Sequence, residues 1–295
     1  MRVIKLFFLI LCGLHLSSSL AIIQNYQLYV HPERKDQIHL FSDFHMDLTG
    51  TEKTTEQVEQ LHTFIKHLSG PKEVIVEDRP TLVAEIEGKT AIERCYSWVE
   101  SMPRGRDYAL LRITPFCYAT LGYGLNNIPV HNCELRHPGP LEQGVKDITQ
   151  YNDHPILDAY YQKAIAKYKS TNETKTLLDA RILHRLHQNS AQNHKAQVVI
   201  AGIKHTENIT PIIEQLGYRK IAYQGISALE SEKMEHKHID EIFTLAEKNE
   251  KINSTMIKQE MDEIYQNMIN TIAADLSNLS KISNNALAEY EAKSA

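Results

Sequence analysis

The chain has 295 residues, of which 42% are hydrophobic and 23% charged, with a formal net charge of −5. This length and apolar content suit one globular domain with an appendage. The acidic balance argues against nucleic acid or an anionic membrane surface as a partner. Beyond the N-terminal segment there are three cysteines, Cys95, Cys117 and Cys133, and an odd number this small excludes a disulfide scaffold.

The first 21 residues have the three parts of a secretory signal. Arg2 and Lys5 give a positive start, residues 6–12 are continuously apolar, and residues 19–21 offer small side chains for cleavage. The apolar stretch is shorter than the roughly 20 residues of a membrane-spanning helix. We therefore expect cleavage and export to the periplasm or the exterior, with no other contact with a membrane. The alternative is a chain that stays anchored by an uncleaved signal.

The same succession of elements occurs twice along the chain. Residues 38–76 show a short apolar run, an apolar stripe at helical spacing and a second apolar run, and residues 198–223 repeat this order. A strand–helix–strand unit favours parallel strands. Between the units, residues 128–135 predict a strand and residues 156–186 are mostly helical. The sequence therefore predicts an α/β fold whose mixed sheet consists of two related strand–helix–strand halves flanked by helices.

After residue 225 the composition changes, because charged and amide side chains increase and glycine and proline disappear. Apolar residues then recur every three or four positions, at Ile257, Met261, Ile264, Met268, Ile272, Leu276 and Leu279. This spacing predicts one long amphipathic helix, which packs on the domain or forms a homodimer seam. The predicted division is a signal peptide (1–21), an α/β domain (22–225) and a C-terminal helical tail (226–295).

Several polar residues follow the predicted strands. Asp43 and His45 follow the first strand, Glu77 follows the next, and His205 follows the strand that opens the second unit. Because parallel strands end at the same edge of a sheet, these side chains are expected at the edge where open α/β sheets bind ligands. Imidazole and carboxylate groups suit Zn, Mn or Co ions, which can make a bound water nucleophilic near neutral pH.

The strand-end motifs resemble those of a known family. Val198–His205 is a strand followed by G-x-x-H, and the following helix closes at Gly217-Tyr218, which is similar to the last core motif of the TraB/GumN family. Phe41–His45 resembles that family's opening G-E-x-H motif, with Ser42 in place of Gly and Asp43 in place of Glu. The resemblance covers roughly residues 36–225. The wider group includes Tiki-type metalloproteases, erythromycin-esterase-like enzymes and ChaN haem-binding proteins.

This resemblance implies an exported metal-dependent hydrolase of the protease or esterase type, acting on a peptide or a small molecule. His45 and His205 match the motif histidines, Asp43 stands for the motif glutamate and Glu77 for the strand-end glutamate. Arg181 is the first candidate for a helix arginine of the family and Arg185 the second. The predicted metal ligands are His45, His205 and Glu77. The predicted catalytic residues are Asp43, Glu77, Glu134, Arg136 and Arg181, with the carboxylates as ligand or base and the arginines steadying an oxyanion.

Three alternatives remain open. The first is a non-catalytic, ligand-binding member of the same fold. The second is a metallophosphoesterase-like enzyme, because Asp43-x-His45 after a strand resembles the opening motif of that class, although the later Gly-Asp, Gly-Asn-His and Gly-His-x-His motifs do not occur. The third is an interaction or scaffold protein that acts through its helical tail.

Overall fold

The structure is a computed structural model, and it describes most of the chain in separate stretches. These are residues 22–44, 52–70, 72–77, 128–133, 138–150, 154–192, 195–234 and 270–294, with residues 237, 241, 263 and 267 described singly. The predicted signal peptide and the predicted site residues His45, Glu134 and Arg136 lie outside the described residues. So do Cys95 and Cys117.

The described elements form an α/β fold around one sheet. The strands are β1 (Ile22–Val30), β2 (Gln37–Phe44), β3 (Lys72–Val76), β4 (Val130–Asn132), β5 (Ala196–Gly202) and β6 (Arg219–Gly225). The helices are α1 (Glu52–His67), α2 (Pro138–Thr149), α3 (Pro155–Thr171), α4 (Lys175–Ala191), α5 (Ile203–Gln215) and α6 (Leu279–Ser294). The six strands lie in the order β4-β3-β5-β2-β1-β6. Among the described residues, no helix is both long and apolar enough to cross a membrane.

The sheet is mixed, with one strand running against the rest. β5 pairs in parallel with β2 and β3, and β3 with β4, whereas β1 is antiparallel to both β2 and β6. The predicted parallel orientation of β2 and β3 is confirmed, and β5 lies between them. The whole of β5 is buried. A strand that is apolar on both faces belongs in the middle of a sheet with helices on both sides.

Helices cover the sheet on both faces. Alternate side chains of β5 enter different cores, with Val199 and Ala201 on one face and Val198 and Ile200 on the other. The first core includes residues from α2, α3, α4 and α5. The second includes Leu61, residues 64 and 65 of α1, and residues from the C-terminal part of the chain. The fold therefore has three layers, with the sheet in the middle.

The C-terminal segment differs from the predicted single helix. The helical stretch stops after Ile272, residues 273–278 are not helical, and α6 begins at Leu279. The predicted continuous helix from residue 257 through Leu279 is therefore wrong at this point. Ile272, Leu276 and Leu279 are each at most 2% exposed, and Leu276 and Leu279 belong to the second core. These apolar side chains therefore pack inside the same chain, which agrees with the predicted packing of the tail on the domain.

Hydrogen bonds to the first residues of β1 explain this interruption of the helix. The Ala274 N–H donates to the Ile23 carbonyl over 2.8 Å. The buried Gln57 side chain donates to the carbonyls of both Ile23 and Ala274, and it accepts from the Ile23 N–H. Since buried backbone groups need partners, this end of β1 favours an extended segment beside it over a continuing helix.

A buried histidine lies between the sheet and α1. The His39 Nδ1 atom is 2.9 Å from the Tyr26 hydroxyl, and its Nε2 atom is 3.2 Å from the Gln37 Oε1 atom. Burial lowers the pKa of His39 to about 3. The neutral ring accepts from Tyr26 and donates to Gln37, so both ring nitrogens are satisfied without a charge.

We expect Leu276→Ala to lower the free energy of unfolding by about 2–5 kcal/mol, because it removes a buried side chain from the second core. The matched control is Leu229→Ala, since Leu229 is 61% exposed. Urea unfolding of both variants measures the difference. Equal stability of the two variants would show that the C-terminal segment does not belong to the core.

We expect the stability of the protein to fall as the pH decreases from about 6.5 toward 5. In this range His39 is protonated in the unfolded chain but not in the folded chain. This difference lowers the free energy of unfolding by roughly 1.4 kcal/mol per pH unit. Urea unfolding at pH 5, 6 and 7 gives the free energy of unfolding at each pH. This free energy should fall less steeply with decreasing pH in His39→Gln than in wild type. His67→Gln, at an exposed position of α1, is the control and should keep the wild-type slope. An equal dependence of the unfolding free energy on pH in wild type and His39→Gln would contradict the neutral state assigned to His39.

Candidate active site

Three strands bring polar residues to the carboxyl edge of the sheet. β5 ends at Gly202, and α5 begins at the next residue. Asp43 of β2 is the parallel partner of Gly202. On the other side of β5, the Glu77 N–H donates to the Ile200 carbonyl over 3.0 Å. The predicted convergence of Asp43, Glu77 and the start of α5 at one edge is therefore confirmed for the backbone.

His205 lies between two buried carboxylates in the first turn of α5. Its Nδ1 atom is 2.5 Å from Asp179 Oδ1, and its Nε2 atom is 3.5 Å from Glu77 Oε1. The second oxygen of Glu77 accepts the Gly202 N–H over 3.0 Å. All three side chains are buried, with Glu77 and Asp179 no more than 2% exposed. The structure thus brings together His205 and Glu77, as predicted, and adds Asp179.

Asp43 does not point into this cluster. Its neighbour Ser42 contacts Thr206 of α5, and side chains alternate along a strand, so Asp43 lies on the same face as Phe41 of the second core. Glu77 lies on the other face, with Ile75 of the first core. Of the predicted catalytic carboxylates, Glu77 is beside His205, whereas Asp43 is on the opposite side of the sheet.

Ser42 of β2 contacts residues of both β1 and α5. Its hydroxyl donates to Asn25 Oδ1 of β1 over 2.6 Å, and it is 2.6 Å from the Thr206 hydroxyl. Thr206 in turn donates to the carbonyl of Ile203, the first residue of α5. The serine therefore links β1 to the first turn of the helix that carries His205.

Asp179 is the member of this cluster that the sequence did not indicate. Its Oδ2 atom accepts from the Asn208 amide over 3.0 Å and from the Tyr160 hydroxyl over 3.4 Å. Burial, with the nearby Asp179 charge, raises the pKa of the Tyr160 hydroxyl, which keeps it a donor. The available signal was an acidic residue inside the apolar run 177–183 of α4, on the face that packs against the sheet.

A second charged cluster lies on the same face, toward the amino ends of β3 and β5. Arg185 of α4 donates from Nε (3.2 Å) and Nη2 (2.6 Å) to the Oε1 atom of the buried Glu73. His131 of β4 contacts both Glu73 and Arg185. Arg181, the predicted oxyanion residue, lies one turn earlier on α4 and is half-buried. Arg185 is thus held by Glu73, and Arg181 is the arginine nearer the start of the helix.

Cys133 lies within reach of these charges and is a thiol at neutral pH. Burial raises its pKa to about 12, with a further increase from Glu73 and Glu77 that Arg181 and Arg185 oppose. Because the thiolate is the nucleophilic form, the buried Cys133 thiol is a poor nucleophile.

The described residues contain part of the predicted metal site. Within the described stretches, no group of three or more His, Cys, Asp or Glu side chains is arranged to hold a metal ion. His205 and Glu77 are two of the three predicted ligands and they face each other. The third, His45, directly follows the last residue of β2 in the sequence and lies outside the described residues.

No protein-family model matches this chain, and neither a curated protein nor a solved structure matches it. The assignment of function therefore rests on the geometry of the chain itself and on the motif resemblance.

We expect Arg185→Met to destabilise the protein by about 3 kcal/mol, the low end of the range for breaking a buried ion pair, because the Arg185 side chain is 30% exposed. The cost arises from Glu73, which is left buried and charged. Glu73→Leu/Arg185→Met removes both charges and should be more stable than Arg185→Met alone. Chemical unfolding of the three proteins measures this, and a double variant less stable than Arg185→Met would contradict the pairing.

Proposed function

We propose that this chain is an exported metal-dependent hydrolase of the protease or esterase type, with an α/β core of two related strand–helix–strand halves. The similarity to TraB/GumN motifs and the cluster around His205 support this proposal. Export is supported by the signal-like residues 1–21. The resident ion would be Zn, Mn or Co, and the substrate a peptide or a small molecule.

The observation that carries the proposal is the 3.5 Å separation of His205 Nε2 and Glu77 Oε1. Two ligands bound at about 2.1 Å to a tetrahedral ion lie roughly 3.4 Å apart, so the pair has the spacing of two ligands of one ion. An unprotonated imidazole nitrogen and a carboxylate oxygen are both acceptors. They repel each other at this distance unless a cation or a proton lies between them.

The residues around the pair fit the proposed ion. The Gly202 N–H holds the Oε2 atom of Glu77, which leaves Oε1 on the side of His205. Nitrogen and oxygen donors of this type suit zinc and its neighbours in the first transition row. His45, which matches the other motif histidine, would be the third ligand, with Glu134 as an alternative carboxylate.

A bound ion of this kind would supply a water that is nucleophilic near neutral pH. The chain's own residues then hold and orient the substrate. Arg181 is the proposed group that steadies an oxyanion, with Arg136 as the alternative. Glu77 is the proposed carboxylate on the histidine's side of the sheet, and Asp43 is not included because it lies on the other face.

The topology supports two related halves. The crossover from β2 through α1 to β3 runs toward one side of the sheet, and the crossover from β5 through α5 to β6 runs toward the other. The two helices cover opposite faces. Two crossovers of one hand that leave neighbouring central strands in opposite directions must lie on opposite faces, so the halves are consistent with a two-fold axis along the strands.

A specific alternative is a non-catalytic ligand-binding protein. The buried His205 between two carboxylates would then be a structural ion pair or a metal site without turnover. Metal content distinguishes the structural ion pair from the hydrolase. Turnover distinguishes the metal site without catalysis from the hydrolase.

We expect residues 22–295 to bind close to one equivalent of Zn, Mn or Co, and His45→Ala/His205→Ala to bind none while remaining folded. His67→Ala is the control, because it removes an exposed histidine of α1 and should keep the metal. Metal analysis after loading and dialysis measures this, together with hydrolysis of peptide and ester substrates. Equal metal content in wild type and the double variant would refute the site, and bound metal without any turnover would favour the binding protein.

A further inference from the structure

A second concave site, the amino-edge pocket, lies where the parallel strands begin. It is formed by the start of β2, the ends of α4 and α5 and the start of α3, and its space measures about 370 Å³, including the part open to solvent. Small-molecule pockets begin at about 300 Å³, so this space suits a small ligand. Since β5 has seven residues, roughly 20 Å of sheet separate the pocket from the candidate active site. Four of the lining side chains are apolar, those of Ile38, Leu186, Ile213 and Leu216.

An arginine lines this pocket and is held in place by its neighbours. The Arg34 Nε atom donates to Asp36 Oδ1 over 3.2 Å, and the guanidinium carbon lies 5.3 Å from the centre of the Tyr218 ring. The Arg34 side chain is 45% exposed. These two neighbours use only part of the five N–H donors of a guanidinium. An arginine fixed in this way offers its remaining donors to a ligand at a low entropy cost.

The acidic residue beside this arginine is satisfied inside the protein. Asp36 is 4% exposed, and its Oδ2 atom accepts from the hydroxyls of Tyr218 and Ser190, the second over 3.0 Å. The Ser190 hydroxyl in turn accepts from the Gln197 amide over 2.8 Å. The acceptors at the pocket are therefore occupied by neighbouring donors, and its polar side chains offer donors rather than acceptors to a ligand.

A histidine at the start of α3 provides the second donor. The His154 Nδ1 atom accepts from the Ile156 N–H over 3.3 Å, which caps the helix. We assign the ring proton to Nε2, because a neutral ring that accepts through Nδ1 carries its proton on the other nitrogen. The ring packs edge-on against that of His187, with 5.9 Å between the ring centres, and both rings line the pocket.

The helix ends at the pocket limit the charge of the ligand. α3 begins here and contributes partial positive charge, whereas α4 and α5 end here and contribute partial negative charge. Asp36 adds a full negative charge next to Arg34. A ligand with one negative charge can still form a bidentate pair with the guanidinium. A ligand with two negative charges meets more repulsion from the ends of α4 and α5.

We propose that the amino-edge pocket binds a small organic monocarboxylate. Its carboxylate accepts from Arg34 and His154, and its apolar body packs against Ile38, Leu186 and Ile213. Guanidinium and carboxylate match in geometry, and removing the apolar body from water adds affinity. This binding uses none of the residues of the candidate active site, so it does not rest on the proposed function.

The test is an NMR titration of metal-free, ¹⁵N-labelled residues 22–295 at pH 7.5 with hexanoate, its neutral analogue hexanamide and inorganic phosphate. We expect hexanoate to bind at least about tenfold more tightly than either, because hydrogen bonds between charged partners are the stronger ones. Arg34→Met should weaken hexanoate binding by about tenfold. His154→Asn keeps a good N-cap, removes the ring donor and should weaken binding several-fold. Lys175→Met, exposed at the start of α4, is the control and should bind as wild type does.

Leu216→Trp fills the pocket and should abolish hexanoate binding, which locates the site. Hexanoate that binds no more tightly than hexanamide or phosphate would overturn the proposal. Wild-type affinity in a folded Arg34→Met or Leu216→Trp variant would do the same. The three ligands compared on wild type decide the matter even if a variant does not fold. A chain that binds hexanoate here and takes up no metal loses the proposed function and keeps this pocket, so the two failures are distinguishable.

Discussion

The central strand β5 is the element on which the rest of the structure depends. It is buried along its whole length and sends alternate apolar side chains into both cores. A strand of this kind is stable only with a strand on each side and helices on each face. β2 and β3 therefore lie on either side of β5, although both belong to the first unit and precede β5 by a long stretch of chain. The site follows from this, because β5 ends at Gly202 and leads directly into the helix that carries His205.

The charged groups on the face of α4 show a second constraint. Glu73, Glu77 and Asp179 are acidic residues with almost no exposure to solvent. An unpaired buried charge is costly, and each of these carboxylates has a cationic or hydrogen-bonding partner within the same layer. Toward the amino ends of β3 and β5, Glu73 is held by Arg185 as a structural pair. At the carboxyl edge, Glu77 and Asp179 face the two ring nitrogens of one imidazole, that of His205.

The C-terminal part of the chain is joined to the core at the same edge. Residues 272–279 pack beside α1, and Gln57 connects them to the beginning of β1. The beginning of β1 is also the part of that strand that pairs with Asp43. One face of the sheet near the site is therefore closed by the C-terminal segment, and the other carries His205, Glu77 and Asp179. This division explains why Asp43, although it is adjacent in register to Gly202, does not join the histidine.

The sequence by itself determined the α/β class, the strands β2 to β6, and the placement of Glu77 and His205 at one edge, because these depend on local apolar periodicity and on the direction of parallel strands. The sequence did not reveal β1, because the amide side chains within residues 22–30 interrupt the alternation of apolar and polar residues. Three features were decided only by tertiary structure: β5 between β2 and β3, the break in the C-terminal helix, and the partnership of Asp179 with His205. Each depends on contacts between residues distant in the chain, which a local pattern does not contain.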